Sequence, residues 1–189
     1  MKFLLLLASI LIYIVISLSS FIFLLYTFHS PFGYDIVELK AHNLTWTYLI
    51  KQKYISFIDL DIFSIHEKRH LLDVKRLFSR IYEFWIISSV VSILLLTFFY
   101  LKCFIREVFR YVIYIGVFIN SLLVISSLFF RNSFELLHRV LFPVNSWIFP
   151  ENSILIKWFP LEYFVEFFLL YIFLNTTILY FLKIKTTKR

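Results

Sequence analysis

Residues 3–26 read FLLLLASILIYIVISLSSFIFLLY, an uncharged run that begins directly after Lys2. Its length exceeds the roughly 7 to 15 residues of a signal-peptide core and meets the ~20 residues a helix needs to cross a bilayer. The run therefore reads as a retained transmembrane helix. The rival, a cleavable signal ending near Ser19 and Ser20, is disfavoured because the apolar run continues from Phe21 to Tyr26. Three further charge-poor runs follow, which gives spans over about 3–26, 84–104, 111–130 and 163–182, the last interrupted by Glu166. The expected architecture is an all-α polytopic membrane protein. It is a single integral membrane domain over 1–189, with four transmembrane helices and two outer loops, 27–83 and 131–162, that bear amphipathic or interfacial helices.

Composition points the same way. Of 189 residues, 61% are hydrophobic and 22% aromatic, with only two Gly and four Pro, which is far from a soluble domain. One cysteine excludes an internal disulfide, and Cys103, among Lys102, Arg106 and Arg110, reads as a free thiol near a membrane face.

Lys and Arg set the orientation. Lys2, the segment 102–110 and the tail from Lys183 carry eight bases and one acid, whereas the rest of the chain holds eleven of each. Both termini are therefore expected in the cytoplasm and both long loops outside. The net charge of +7 reads as topology and contact with anionic membrane lipid. Nucleic acid is excluded as a partner, since no basic patch is interleaved for base or phosphate contact.

The chemistry lies in the loops. Residues 67–75 read EKRHLLDVK, dense in ionisable groups. On a helix, Glu67, His70 and Asp73 share an edge, while His70, Val74, Leu77 and Ile81 form an apolar stripe. In the second loop, Asn132 or Ser133 is expected to cap a short helix with Phe134, Leu137, His138 and Leu141 on one face and Pro143 as its stop. Pro143, Pro150 and Pro160 break the remainder into short pieces. His70 and His138 thus sit on apolar faces, where neutral imidazole is favoured and can act as a base near neutral pH. His29 and His42 read as solvated loop histidines. The stretch 44–63 and the rings of Trp147, Phe149, Trp158, Phe159 and Tyr163 read as interfacial.

Metal readings compete with this one. His66-Glu67-x-x-His70 matches the zinc-binding H-E-x-x-H of a metalloprotease, with Glu67 as base, but no third ligand is marked. Glu67-x-x-His70 and Glu135-x-x-His138 match half of a di-iron bundle, which needs two more Glu, and only Glu166 offers itself. There is no G-x-S-x-G elbow, and Cys103 has no histidine near it. What remains is a pair of histidines with carboxylates at a lipid interface, which suits acid–base catalysis on a lipidic substrate that brings its own nucleophile. The alternative is a non-enzymatic membrane adaptor or assembly protein.

Two motifs carry a family resemblance. The stretch Glu67 to Lys75 is similar to E-x-x-H-M-x-D-V-K. The second, from His138 through Phe142, Asn145, Trp147, Pro150, Leu155, Ile156 and Pro160 to Phe164, is similar to H-x-x-F-F...N...W...P...L-I...P...F-F. Both patterns belong to the lipoprotein intramolecular transacylases (Lit), small four-span bacterial membrane proteins. Leu71 in place of Met, Pro143 after Phe142 and Ser153 in place of Asp depart from the family pattern.

The resemblance implies cofactor-free transfer of an acyl chain from the sn-2 ester of a diacylglyceryl-modified lipoprotein N-terminal cysteine to the α-amino group of that residue. The product is a lyso-form lipoprotein, made at the outer face of the bacterial cytoplasmic membrane. The resemblance also implies His70 and His138 as the catalytic pair, without saying which is base and which acid. Glu67 or Asp73 is expected to fix the tautomer of His70, and Lys75 or backbone N–H groups to hold the oxyanion. Asn145, Trp147 and Glu166 complete the supporting or substrate-binding candidates, Glu166 for the free amine. The oligomeric state is left open.

Overall fold

The structure, a computed structural model, describes residues 1–28, 39–50 and 62–187. Among these, all regular structure is helical: α1 (Lys2–Thr27), α2 (Leu39–Ile50), α3 (Ile65–Leu101), α4 (Ile105–Leu128), α5 (Phe130–Leu141), α6 (Ile154–Trp158) and α7 (Leu161–Thr187). Four of them, α1, α3, α4 and α7, are long and apolar enough to cross a membrane.

The ends of these helices differ from expectation in instructive ways. The second span and the helix carrying His70 are one 37-residue helix. Arg80-Ile81-Tyr82-Glu83 contains neither Gly nor Pro, so nothing interrupts helix propagation between the two halves. Every charge of α3 lies within 65–83, which leaves 84–101 as its membrane-crossing part. The third span begins at Ile105 rather than near 111, and α5 starts almost directly after it. Asn132 and Ser133 are consequently not caps but part of the first turn of α5, whose N-cap is Phe129 with no side-chain capping bond. The chain turns into the new helix before it reaches the polar residues, and Ser133 N already donates to Phe129 O at 3.0 Å. The stop falls where proline predicts it, with Phe142 N on His138 O at 2.9 Å and Phe142 extended before Pro143.

The chain forms two compact units. The first comprises Met1–Leu24, Tyr82–Leu128 and α7 from Leu169 onward. Its core joins Leu5, Ala8, Ile12 and Tyr13 of α1 to Phe99, Val108, Val112 and Leu179. Three polar side chains in this unit bond to neighbouring helices, the arrangement a hydrocarbon surround favours. Ser9 Oγ donates to Val108 O at 3.2 Å, Tyr13 OH to Asn120 Oδ1 at 3.1 Å, and Asn120 Nδ2 to Thr176 Oγ1 at 3.2 Å. A Cβ on Gly116 would lie 2.6 Å from Leu179 Cδ1, so glycine is what lets α4 and α7 approach. The α3–α4 turn is a Schellman closure, with Phe104 N on Phe99 O and Cys103 N on Tyr100 O, and Cys103 occupies its left-handed position at φ 61°. The cysteine is exposed and unbridged.

The second unit comprises Leu25–Ile81 and Phe129–Phe168, described within the limits above. Trp46 Nε1 donates to Leu25 O at 3.0 Å, and Tyr163 OH to Phe28 O at 3.1 Å. His42 is not a solvated loop residue: it is 1% exposed. Helical spacing puts His42, Thr45, Trp46 and Leu49 on one buried face of α2, where His42 packs against Trp158 and Phe159. His29, and residues 51–61 of the stretch expected at the interface, lie outside the described residues. On α5 no residue is buried, and Leu136, Leu137 and Val140 are exposed while Glu135 and Arg139 pair at 3.7 Å. Such an amphipathic helix suits a membrane surface.

Candidate functional site

The start of α3 is fixed by a capping box. Ser64 N donates to Glu67 Oε2 at 2.8 Å, and Glu67 N returns a bond to Ser64 Oγ at 3.3 Å. The other carboxylate oxygen accepts Leu155 N at 3.2 Å, at the start of α6. Ser153 caps that helix through Ile156 N and also bonds Glu67 through its hydroxyl. Burial pushes the Glu67 carboxyl up, but these hydrogen bonds outweigh it and hold it below its ordinary value. Glu67 is thus a latch between the first turns of α3 and α6. Serine in place of aspartate at 153 fits here, because both cap helices but only the hydroxyl can donate to the carboxylate.

One turn further along α3, the ring of His70 lies 6.3 Å from that of His138 on α5, centre to centre, with planes 27° apart. The rings of Phe142 and Phe149 lie 4.8 and 5.4 Å from that of His70, in T-shaped arrangements. Phe134, Phe142 and Trp147 surround His138 at 4.0, 5.3 and 5.2 Å. Trp147 reaches this place through a tight turn: Ser146 N bonds Pro143 O at 3.1 Å, and Asn145 occupies the position that requires positive φ, at 64°. Asn145 thus supplies the left-handed backbone of this turn. Pro143 opens the turn by supplying a carbonyl.

His138 Nδ1 stands 2.8 Å from Phe134 O. A carbonyl only accepts, so Nδ1 carries the proton of the neutral ring and Nε2 keeps its lone pair. Burial pushes His138 below its ordinary value, partly opposed by the Phe134 bond. Burial, followed by the neighbouring charges of His138 and His66, drives His70 down from 6.5 to about 4. Both rings are accordingly neutral at pH 7. His70 Nδ1 is buried without a hydrogen-bond partner among the described residues.

The remaining candidates are placed elsewhere. Both oxygens of Glu67 are occupied by backbone amides, and Asp73 pairs with Arg76 at 3.6 Å, so neither carboxylate bonds to His70. Lys75 Nζ sits 3.9 Å over the ring of Tyr48, and burial lowers its pKa. Five residues after His70, it lies about 140° around α3. Glu166 of α7 has one buried oxygen with no partner among the described residues. His66 packs on Phe149 at 5.1 Å. Among the described residues, no three His, Cys, Asp or Glu side chains are grouped to hold a metal ion, and Glu67, the base a zinc box requires, is engaged. Phe134, which helical spacing places on the face of His138, is a wall of the site that the sequence did not single out, and the S-x-x-E box at Ser64 is a signal it carried unread.

Fold and site together define a polytopic helical membrane protein with a neutral histidine pair boxed by aromatic rings. A sequence model of the lipoprotein intramolecular transacylase Lit matches residues 1–164, which include both histidines, and the chain belongs to this family. The family is one of membrane transacylases that act on lipoproteins. No curated protein and no solved structure matches the chain.

Proposed function

We propose that the protein transfers the sn-2 acyl chain of a diacylglyceryl-modified lipoprotein cysteine to the α-amino group of that same cysteine, by histidine acid–base catalysis at the outer face of the bacterial cytoplasmic membrane. The α-amino group, with a pKa near ~8, brings the nucleophile and needs only a base beside it. His138 is that base. Its Nε2 takes the amine proton as the N–C bond forms on the ester carbonyl. When the tetrahedral intermediate collapses, the C–O bond to glycerol breaks and the same proton passes to the leaving oxygen. His70, kept neutral, donates an N–H to the developing oxyanion in a water-poor surround, where such a bond is strongest. Trp147, Phe142 and Phe149 exclude water and offer an apolar seat to acyl chains. The Glu67 latch holds α3 and α6 in register around the pair.

The observation that supports this assignment most is the His138 Nδ1 bond to Phe134 O, which leaves Nε2 as an acceptor beside a second neutral imidazole. The experiment is acyl transfer by purified protein on a synthetic diacylglyceryl-cysteine peptide. Wild type is expected to yield the N-acyl, lyso-glyceryl peptide without added metal or cofactor. A peptide whose α-amino group is acetylated is expected to be inert, and its conversion would refute the amine as nucleophile.

A further inference from the structure

We infer that the groove between α4 and α7 in the first unit binds an anionic phospholipid of the surrounding bilayer. The groove has a volume of about 580 Å³ and is walled by Ile113, Val117 and Val124 on α4 and by Leu179 and Tyr180 on α7. Its polar floor is already satisfied within the protein. Tyr13 OH donates to Asn120, Asn120 to Thr176, and Thr176 Oγ1 to Ile172 O. What the groove offers an occupant is therefore apolar contact at membrane depth.

One end is charged. The contacts of Gly116 with Leu179 and of Asn120 with Thr176 set an antiparallel register, which brings Lys183 to the level of Ile113. The α4 stripe that lines the groove continues through Arg110 and Arg106, three and seven residues before Ile113. All three basic residues are exposed. Glu107, paired with Arg110 at 3.6 Å, is the acid that opposes them, so the rim is net positive.

An apolar trough that ends in a basic rim between membrane helices matches two acyl chains and an anionic headgroup. A zwitterionic lipid would match the trough alone. A second copy in the same membrane orientation would bring its own Lys183 and Arg106 to the same depth, like charge against like.

This inference is independent of the acyl-transfer proposal, and its test needs no substrate. The full-length protein, in neutral detergent, is offered an equimolar mixture of phosphatidylglycerol and phosphatidylcholine, and retained lipid is read by native mass spectrometry. Preferential retention of phosphatidylglycerol is expected. Arg106→Gln and Lys183→Gln should each lower that preference about fivefold, and Val117→Trp, which fills the trough, should lower retention of both lipids. Should Val117→Trp fail to fold, the two glutamine variants, at exposed positions, decide the question. Equal retention of the two lipids, an unchanged preference in both glutamine variants, or a dimer in place of the lipid adduct each overturns the inference.

Discussion

The imidazoles of His70 and His138 face each other across 6.3 Å, and each is neutral for a different mix of reasons: burial and histidine neighbours for His70, burial opposed by a carbonyl bond for His138. The proposed mechanism gives the two rings different duties. If His70 only donates an N–H, glutamine can partly replace it, whereas no amide can replace His138 as a base. His70→Gln is predicted to lower kcat by about 10- to 100-fold, and His138→Gln by about 1,000-fold or more. Single-turnover rates on the diacylglyceryl peptide check this. Equal losses in the two variants would remove the assignment of roles.

Protonation of the pair supplies a pH signature in stability. The folded state holds His70 at about 4 against 6.5 when unfolded, so the unfolded chain binds more protons between those values. Stability present above pH 6.5 is therefore lost as pH falls from about 6.5 toward about 4. Melting temperatures in detergent across this window are expected to drop, and the drop should shrink in His70→Asn. Glu67, held below its ordinary 4.5, adds its own loss as pH falls below about 4.5. A flat profile above pH 5 in wild type would contradict the burial of His70.

The Glu67 latch predicts a graded series. Glu67→Ala leaves the Ser64 and Leu155 amides without acceptors and is expected to cost about 1–3 kcal/mol. Glu67→Gln keeps one acceptor oxygen and should cost about half as much, while Ser153→Ala loses a cap worth about 1 kcal/mol. Thermal unfolding of the three variants provides the ranking. If Glu67→Gln proves as damaging as Glu67→Ala, the charge itself, and not the pair of amide bonds, is what matters.

Cys103 holds a left-handed backbone at the C-terminal cap of α3, a conformation that a side chain penalises and glycine does not. Cys103→Gly relieves a left-handed penalty of roughly 1–2 kcal/mol against a smaller entropic cost of glycine, so it is predicted to stabilise by about 0.5–1 kcal/mol, read as a raised melting temperature. Cys103→Val, with a branched Cβ at the same φ, should move the other way.

The spans were legible because uncharged runs of membrane length need no tertiary information. The extent of α3 was not legible, because an apolar-run criterion stops at Phe84 while helix propagation through Arg80-Ile81-Tyr82-Glu83 does not. His42 was misread for a similar reason: taken singly it looks polar and solvated, and only the spacing of His42, Thr45, Trp46 and Leu49 marks a buried face. The two histidines could be singled out from their apolar stripes, but that His70 meets His138 rests on contacts far apart in sequence, which no local pattern encodes. The same limit hid the role of Glu67, whose Leu155 partner lies on a separate helix, although its Ser64 partner was readable as a capping box.

Intramolecular acyl transfer through His70 and His138, as proposed, has a direct readout in the cell. The measurement is tandem mass spectrometry of N-terminal lipopeptides after this protein is expressed in a bacterium that otherwise leaves its lipoproteins as diacylglyceryl cysteine. Wild type is predicted to convert them to N-acyl, monoacylglyceryl cysteine, with unchanged total acyl mass, and His138→Asn to leave them as they were. Unconverted lipoprotein with well-expressed wild type, or full conversion by His138→Asn, would rule out histidine-dependent transfer by this protein.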